Sequence, residues 1–176
     1  MAANKRQTAE SGVLERAPAA SDALEAPPPL PVGPPEKWPM VYLLARIFYA
    51  MRQRSEDALK PHNLTPMQFT ILSSLKQWQG LSSAELSRRF GVTPQTMGEM
   101  VGNLERRALI ARVQDPANRR ALRLSLTASG EQQLRVCEAA MQALEGQMFE
   151  EMSSRDFEAL RGRMIGLHNR LGLSFE

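Results

Sequence analysis

The sequence predicts a mainly α chain with a small β-hairpin wing: a winged helix-turn-helix flanked by long N- and C-terminal dimerisation helices. Three observations carry that prediction. Thr65-Pro66 and Thr93-Pro94 each precede a run with apolar residues at helical spacing, as an N-cap followed by proline in the first turn would. Between those runs lies SSAELSRRFG, a short capped helix closed by glycine. Downstream, the apolar period switches to two beside the polar island DPANRR, residues 115–120.

The elements follow in order. Residues 1–36 hold seven of the twelve prolines and few large apolar residues, which predicts a disordered or polyproline-like tail. Helical periodicity starts at Trp38 and runs to Lys60, with Leu43, Leu44, Ile47, Phe48, Met51, Ala58 and Leu59 on one stripe and Pro61 as the stop. A second helix over about 66–78 carries Phe69, Ile71, Leu72 and Leu75. Ser82 and Glu85 form a capping-box pattern for the short third helix, which turns Leu86 and Phe90 inward and ends at Gly91. The fourth, about 94–107, buries Met97, Val101 and Leu104. Strands are expected over 109–114 and 121–126, joined by DPANRR. Thr127 caps a long helix reaching about Met152, and Ser153 or Ser154 caps the last. The resulting organisation is a tail over 1–36, a helical dimerisation region over 37–62 and 127–176, and a winged helix-turn-helix over 63–126. The terminal helices are too apolar to stand alone, and packing against a second copy buries them most simply.

Composition narrows the function classes. The net charge is +3, but residues 82–126 hold eight arginines against four acids. The rest of the chain is then near neutral, so basic charge is concentrated where a polyanion-binding face would need it. Cys137 is the single cysteine, which excludes an intramolecular disulfide and fits a reducing cytoplasm. Two distant histidines, His62 and His168, give no metal-ligand spacing, and no acid, base and nucleophile set marks an enzyme. No apolar run reaches the ~18 residues of a membrane span, and the N-terminus lacks a secretory core. A soluble cytoplasmic protein without metal or cofactor is the expectation.

LTPMQFTIL and GLSSAELSRRFGVTPQTMGEMVGNLERRALIARVQDPANRRALRLSLTASG resemble the MarR/SlyA family of bacterial transcriptional regulators. The likeness runs from about Trp38 to the C-terminus. Its most specific parts are Leu64-Thr65-Pro66, the run from Leu81 to Leu109, and the wing from Arg112 to Arg120 leading into Leu126-Thr127 and Gly130. The resemblance implies a homodimeric winged-helix regulator, usually a repressor, that binds palindromic double-stranded DNA and is often released by a small molecule.

Residue chemistry fits that expectation. A helix starting at Thr93 fits the major groove, where Gln95 and Asn103 can read adenine and Glu99 can accept from cytosine. Thr93, Thr96, Arg88 and Arg106 are candidates for phosphate or base contacts. Gly98 costs about 1 kcal/mol in a helix interior, which close packing or close DNA approach would explain. Arg119 at the hairpin tip is the first candidate for the minor groove. Arg120 aligns with the family's wing arginine, which contacts DNA or holds the wing through an acid such as Asp115. Arg112 is expected to brace Asp115. Three positions depart from the family pattern: Gly98-Glu99 replaces Ser-Arg, Asn118 replaces an aspartate, and Ala108 replaces a glycine, at about 1 kcal/mol if its φ is positive.

By the same resemblance an effector would bind between the dimer helices and the DNA-reading lobe. Tyr42, Arg46, Tyr49, His62, Met67 and Phe69 are the candidates, with Arg46 or His62 pairing a carboxylate and the rings stacking on an aromatic acid. Two alternatives stay open. One is a redox-sensing regulator using Cys137, although that residue sits on an apolar stripe where packing is the simpler role. The other is a winged-helix protein-interaction module that uses the Pro-rich tail without operator recognition.

Overall fold

The computed structural model describes residues 33–78, 80–115 and 122–172. The predicted tail falls almost entirely outside the described residues, as do Arg119, Arg120 and the rest of the hairpin tip. Six helices and one hairpin are described: α1 (Met40–Leu59), α2 (Pro66–Gln77), α3 (Ser83–Phe90), α4 (Pro94–Arg106), β1 (Ile110–Gln114), β2 (Leu122–Leu126), α5 (Ala128–Met148) and α6 (Ser154–Arg170).

Local chemistry sets the helix starts. Thr65, Ser82, Thr93, Thr127 and Ser153 are N-caps, and each side chain accepts from the backbone N–H three residues on. Thr65–Gln68 and Ser82–Glu85 are full capping boxes. Gly91 closes α3 in the left-handed region at φ 62°. Pro61 does not itself stop α1. A 3-10 turn over Lys60–His62 contains it, and Asn63 at φ 54° turns the chain away. At the N-terminal end α1 begins two residues later than the periodicity predicts, because Pro39 is its N-cap and Trp38 is extended. Helix α5 ends at Met148, four residues short of expectation.

The core joins α2, α3, α4, the hairpin and the first half of α5. Ile71, Leu72, Leu86, Met97, Val101, Leu104, Ile110, Leu124, Leu134 and Cys137 are fully or almost fully buried there. From α1 only Leu59 joins the buried residues, and α6 contributes none. The expected wet-and-dry alternation of β2 is partial. Leu124 is buried and Leu126 packs on the core, but Leu122 is 48% exposed. Leu122 pairs with Gln114 at the outer end of the hairpin, beyond the reach of the core.

Candidate nucleic-acid interface

Helix α4 divides cleanly. Met97, Val101 and Leu104 face the core. Gln95, Glu99, Gly102 and Arg106, spaced by about one or two turns, share the opposite face. Gln95, Glu99 and Arg106 are exposed. The Gln95 amide donates to Glu99 at 3.2 Å. The Glu99 carboxylate therefore already meets a donor, which tempers the repulsion it would bring to a phosphate backbone. Thr93 and Thr96 are exposed, but Thr93 caps the helix through the Thr96 N–H at 3.1 Å, and the two hydroxyls lie 2.8 Å apart. Around Gly98 the space is open: an added Cβ would have no neighbour within 4 Å. Internal packing thus does not account for this glycine.

Asn103 sits off the exposed row. It is half-buried, and its side-chain oxygen accepts from the Gln68 amide at 3.1 Å. Gln68 also closes the cap of α2 through Thr65. The polar link therefore fixes α4 against α2, a role that periodicity alone did not distinguish from base reading.

The two arginines ending α3 have separate surroundings. Arg88 is exposed. Arg89 is half-buried with its guanidinium 4.5 Å from the Trp78 ring centre, a cation–π contact.

The base of the wing is held by a residue absent from the sequence-derived candidates. Arg123 Nε donates to Asp115 Oδ2 at 2.8 Å. Its Nη1 donates to the Gly80 carbonyl at 2.9 Å and to Glu85 Oε2 at 3.1 Å. Glu85 Oε2 also accepts from the Ser82 N–H (2.7 Å) and hydroxyl (2.6 Å). Hydrogen bonds from Ser82, then the charge of Arg123, hold the Glu85 carboxyl below its ordinary value. The backbone repeats the connection: Leu124 N–H donates to the Leu81 carbonyl at 2.8 Å. One guanidinium thus ties β2, the end of β1 and the start of α3 together.

The expected Arg112–Asp115 pair is not formed. Arg112 bonds Glu105 of α4 at 3.0 Å, and Arg123 takes Asp115. The strand period explains the exchange, since residues three apart leave an extended chain on opposite faces. Arg123 stands opposite Val113, whose face Asp115 continues. Distances of 8, 38 and 43 residues to its partners hid this role in the sequence.

At the exit of α4, Ala108 has φ 54°, the strained conformation expected where relatives place glycine. Its carbonyl accepts from the Thr127 hydroxyl at 2.6 Å. Gly130 packs so closely on this junction that a Cβ would run into the Leu109 carbonyl oxygen. The N-terminus of α5 is thereby fixed to the point where α4 becomes the wing.

Of the six effector candidates, Phe69 lines a cavity of about 550 Å³ between α1, α2 and α5, with Met51, Met141, Met148 and Phe149. The other five are not in its wall. Tyr42 lies edge-on to Trp38 and Tyr49 edge-on to Phe48. Arg46 and Met67 are half-buried, and the His62 carbonyl accepts from Gln133 at 3.0 Å. Cys137 is fully buried, and burial pushes its thiol above the ordinary value. No described helix is long and apolar enough to cross a membrane.

A capped short helix, a tight turn, a helix with an exposed polar row and a braced hairpin define a winged helix-turn-helix protein. The chain belongs to the MarR family, whose profile matches residues 64–122. It is 34% identical over 125 residues to the HTH-type transcriptional repressor Rv2887 of Mycobacterium tuberculosis, covering 69% of this chain and 90% of that protein. It is similar to the repressor MdtR of Bacillus subtilis, at 32% over 88 residues, 50% of this chain and 57% of that one. Among solved structures, Rv2887 with salicylic acid matches with a TM-score of 0.62 at 32% identity, covering 75% of this chain and 98% of that one. The Staphylococcus aureus MepR–DNA complex shares the fold at a TM-score of 0.64 and 23% identity, covering 76% and 96%. These relatives are transcriptional regulators, not enzymes.

Proposed function

We propose that this protein is a sequence-specific transcriptional repressor that binds a palindromic operator near its own gene as a homodimer and is released by a small aromatic acid. The exposed row Gln95, Glu99, Gly102 and Arg106 on α4, beside the braced wing, carries the DNA reading. Gln95 and Arg106 supply base-edge or phosphate donors, and Gly98 leaves room for the duplex. Arg88 flanks the row, and Arg119 and Arg120 extend the same basic surface along the chain.

The dimer is supported by apolar surface left uncovered at both ends of the protomer. Ile47 (50%), Phe48 (47%) and Met51 (43%) are exposed on α1, and Met164 (45%) and Ile165 (55%) on α6. A second copy covering both helices would bury this surface and place two reading helices about one DNA turn apart. The effector class is supported by the relative crystallised with salicylic acid.

The test is binding to DNA upstream of the gene, measured by fluorescence anisotropy over a salt series and with salicylate added. Specific binding should exceed binding to random DNA on the order of 10³-fold or more. Removing one phosphate-contacting arginine should flatten the log–log salt slope by about 0.9 per contact. Equal affinity for promoter and random DNA refutes operator recognition, and an anisotropy unmoved by salicylate refutes relief by an aromatic acid.

A further inference from the structure

Two cavities meet at Lys76, and their charges differ. The α1–α2–α5 cavity sets Lys76 against Glu138 and Glu145. Glu138 holds the Lys76 ammonium with both oxygens, at 2.8 and 2.9 Å. The second cavity, about 500 Å³, lies between α2, β2 and α5. It sets Lys76 and Arg135 against Glu131 alone, over an apolar floor of Leu75, Leu126 and Leu134. Arg135 and Glu131 are 3.9 Å apart and more than half exposed, a pair that another carboxylate displaces at little cost.

We propose that the α2–β2–α5 cavity is the site for an aromatic carboxylate, with Arg135 and Lys76 holding the acid and Leu75, Leu126 and Leu134 the ring. This rests on the reading of the protein as a regulator relieved by an aromatic acid. An anion entering the α1–α2–α5 cavity faces two carboxylates and one already paired cation. In the α2–β2–α5 cavity it faces two cations and one weakly held acid. The Ser125 hydroxyl in the wall offers a neutral donor. Ser125 and Leu126 belong to β2, two residues from Arg123 and its ties to α3. A ligand here touches the wing strand directly. It also competes with Glu138 for Lys76, loosening a link between α2 and α5.

Salicylate is the probe, titrated by calorimetry into the full-length protein and by anisotropy into its operator complex. Arg135→Gln and Lys76→Gln should each weaken salicylate binding ten-fold or more, while operator affinity without salicylate stays within about two-fold. Arg135→Lys should retain most of the binding. Glu145→Gln and Met148→Ala, in the other cavity, should leave it unchanged. If salicylate releases the wild-type complex but binds both glutamine variants normally, the site is wrong and the regulator reading stands. If Glu145→Gln or Met148→Ala is the damaging change, the ligand occupies the other cavity and the proposal falls. If salicylate neither binds nor releases the wild type, both the site and the effector class are overturned, and operator recognition is judged by affinity alone.

Discussion

Ala108 concentrates a cost that one substitution can relieve. A non-glycine residue in the left-handed region is strained by roughly 1–2 kcal/mol, whereas glycine loses about 0.5–1 kcal/mol more backbone entropy on folding. The strain outweighs the entropy. Because the Thr127 bond goes to the main-chain carbonyl, it survives the change. Ala108→Gly should therefore raise stability by about 0.5–1 kcal/mol, read from urea unfolding midpoints at constant m. Gly98 poses the opposite case, since open space surrounds it. Gly98→Ala should stabilise the protein by up to about 1 kcal/mol yet weaken operator binding. A higher melting temperature with unchanged operator affinity would remove close DNA approach as the reason for this glycine.

Among the elements, the wing brace makes the clearest demand. The Glu85 carboxyl is depressed in the folded state, so its contribution is fully present above the ordinary carboxylate range and is lost as pH falls through the lowered value. Glu85→Gln should flatten the acid limb of the stability–pH curve, measured by thermal unfolding from neutral to acid pH. Loss of Arg123 leaves the 8%-exposed Asp115 without its 2.8 Å donor. Arg123→Ala should cost roughly 1–3 kcal/mol and speed amide exchange in β1 and β2, with Arg123→Lys recovering part of both. Caps and apolar periods were legible in the sequence because each is written within three or four residues. Thr65, Ser82, Thr93 and Thr127 announce their helices locally. Arg123 was illegible for the converse reason: alternation marks it only as a polar-face residue, and its partners arrive through the tertiary fold. Asn103 was ambiguous because helical phase places it on the flank of α4, and only the position of α2 decides what it meets.

At the level of the whole molecule, the apolar faces of α1 and α6 govern behaviour. The interaction they support is intermolecular, so stability should depend on protein concentration. Phe48→Glu places a charge in the exposed patch, where a dimer would bury it unpaired. The variant should sediment as a monomer, melt at a temperature independent of concentration, and lose operator affinity steeply. A variant that remains dimeric would exclude this face of α1 from the interface.

The close seat of Gly130 on Leu109 gives α5 the mechanics of a lever. Its 21 residues span about 30 Å, and its fulcrum is the junction from which both the reading helix and the wing depart. Without a Cβ to hold the backbones apart, little slack remains at that fulcrum. A tilt of about 5° there sweeps the far end of α5 by roughly 3 Å over this length. In a two-fold assembly the same tilt changes the gauge between the two reading helices. A one-carbon substitution at Gly130 would then act as a spacer in the bearing, altering DNA affinity from a residue distant from any base.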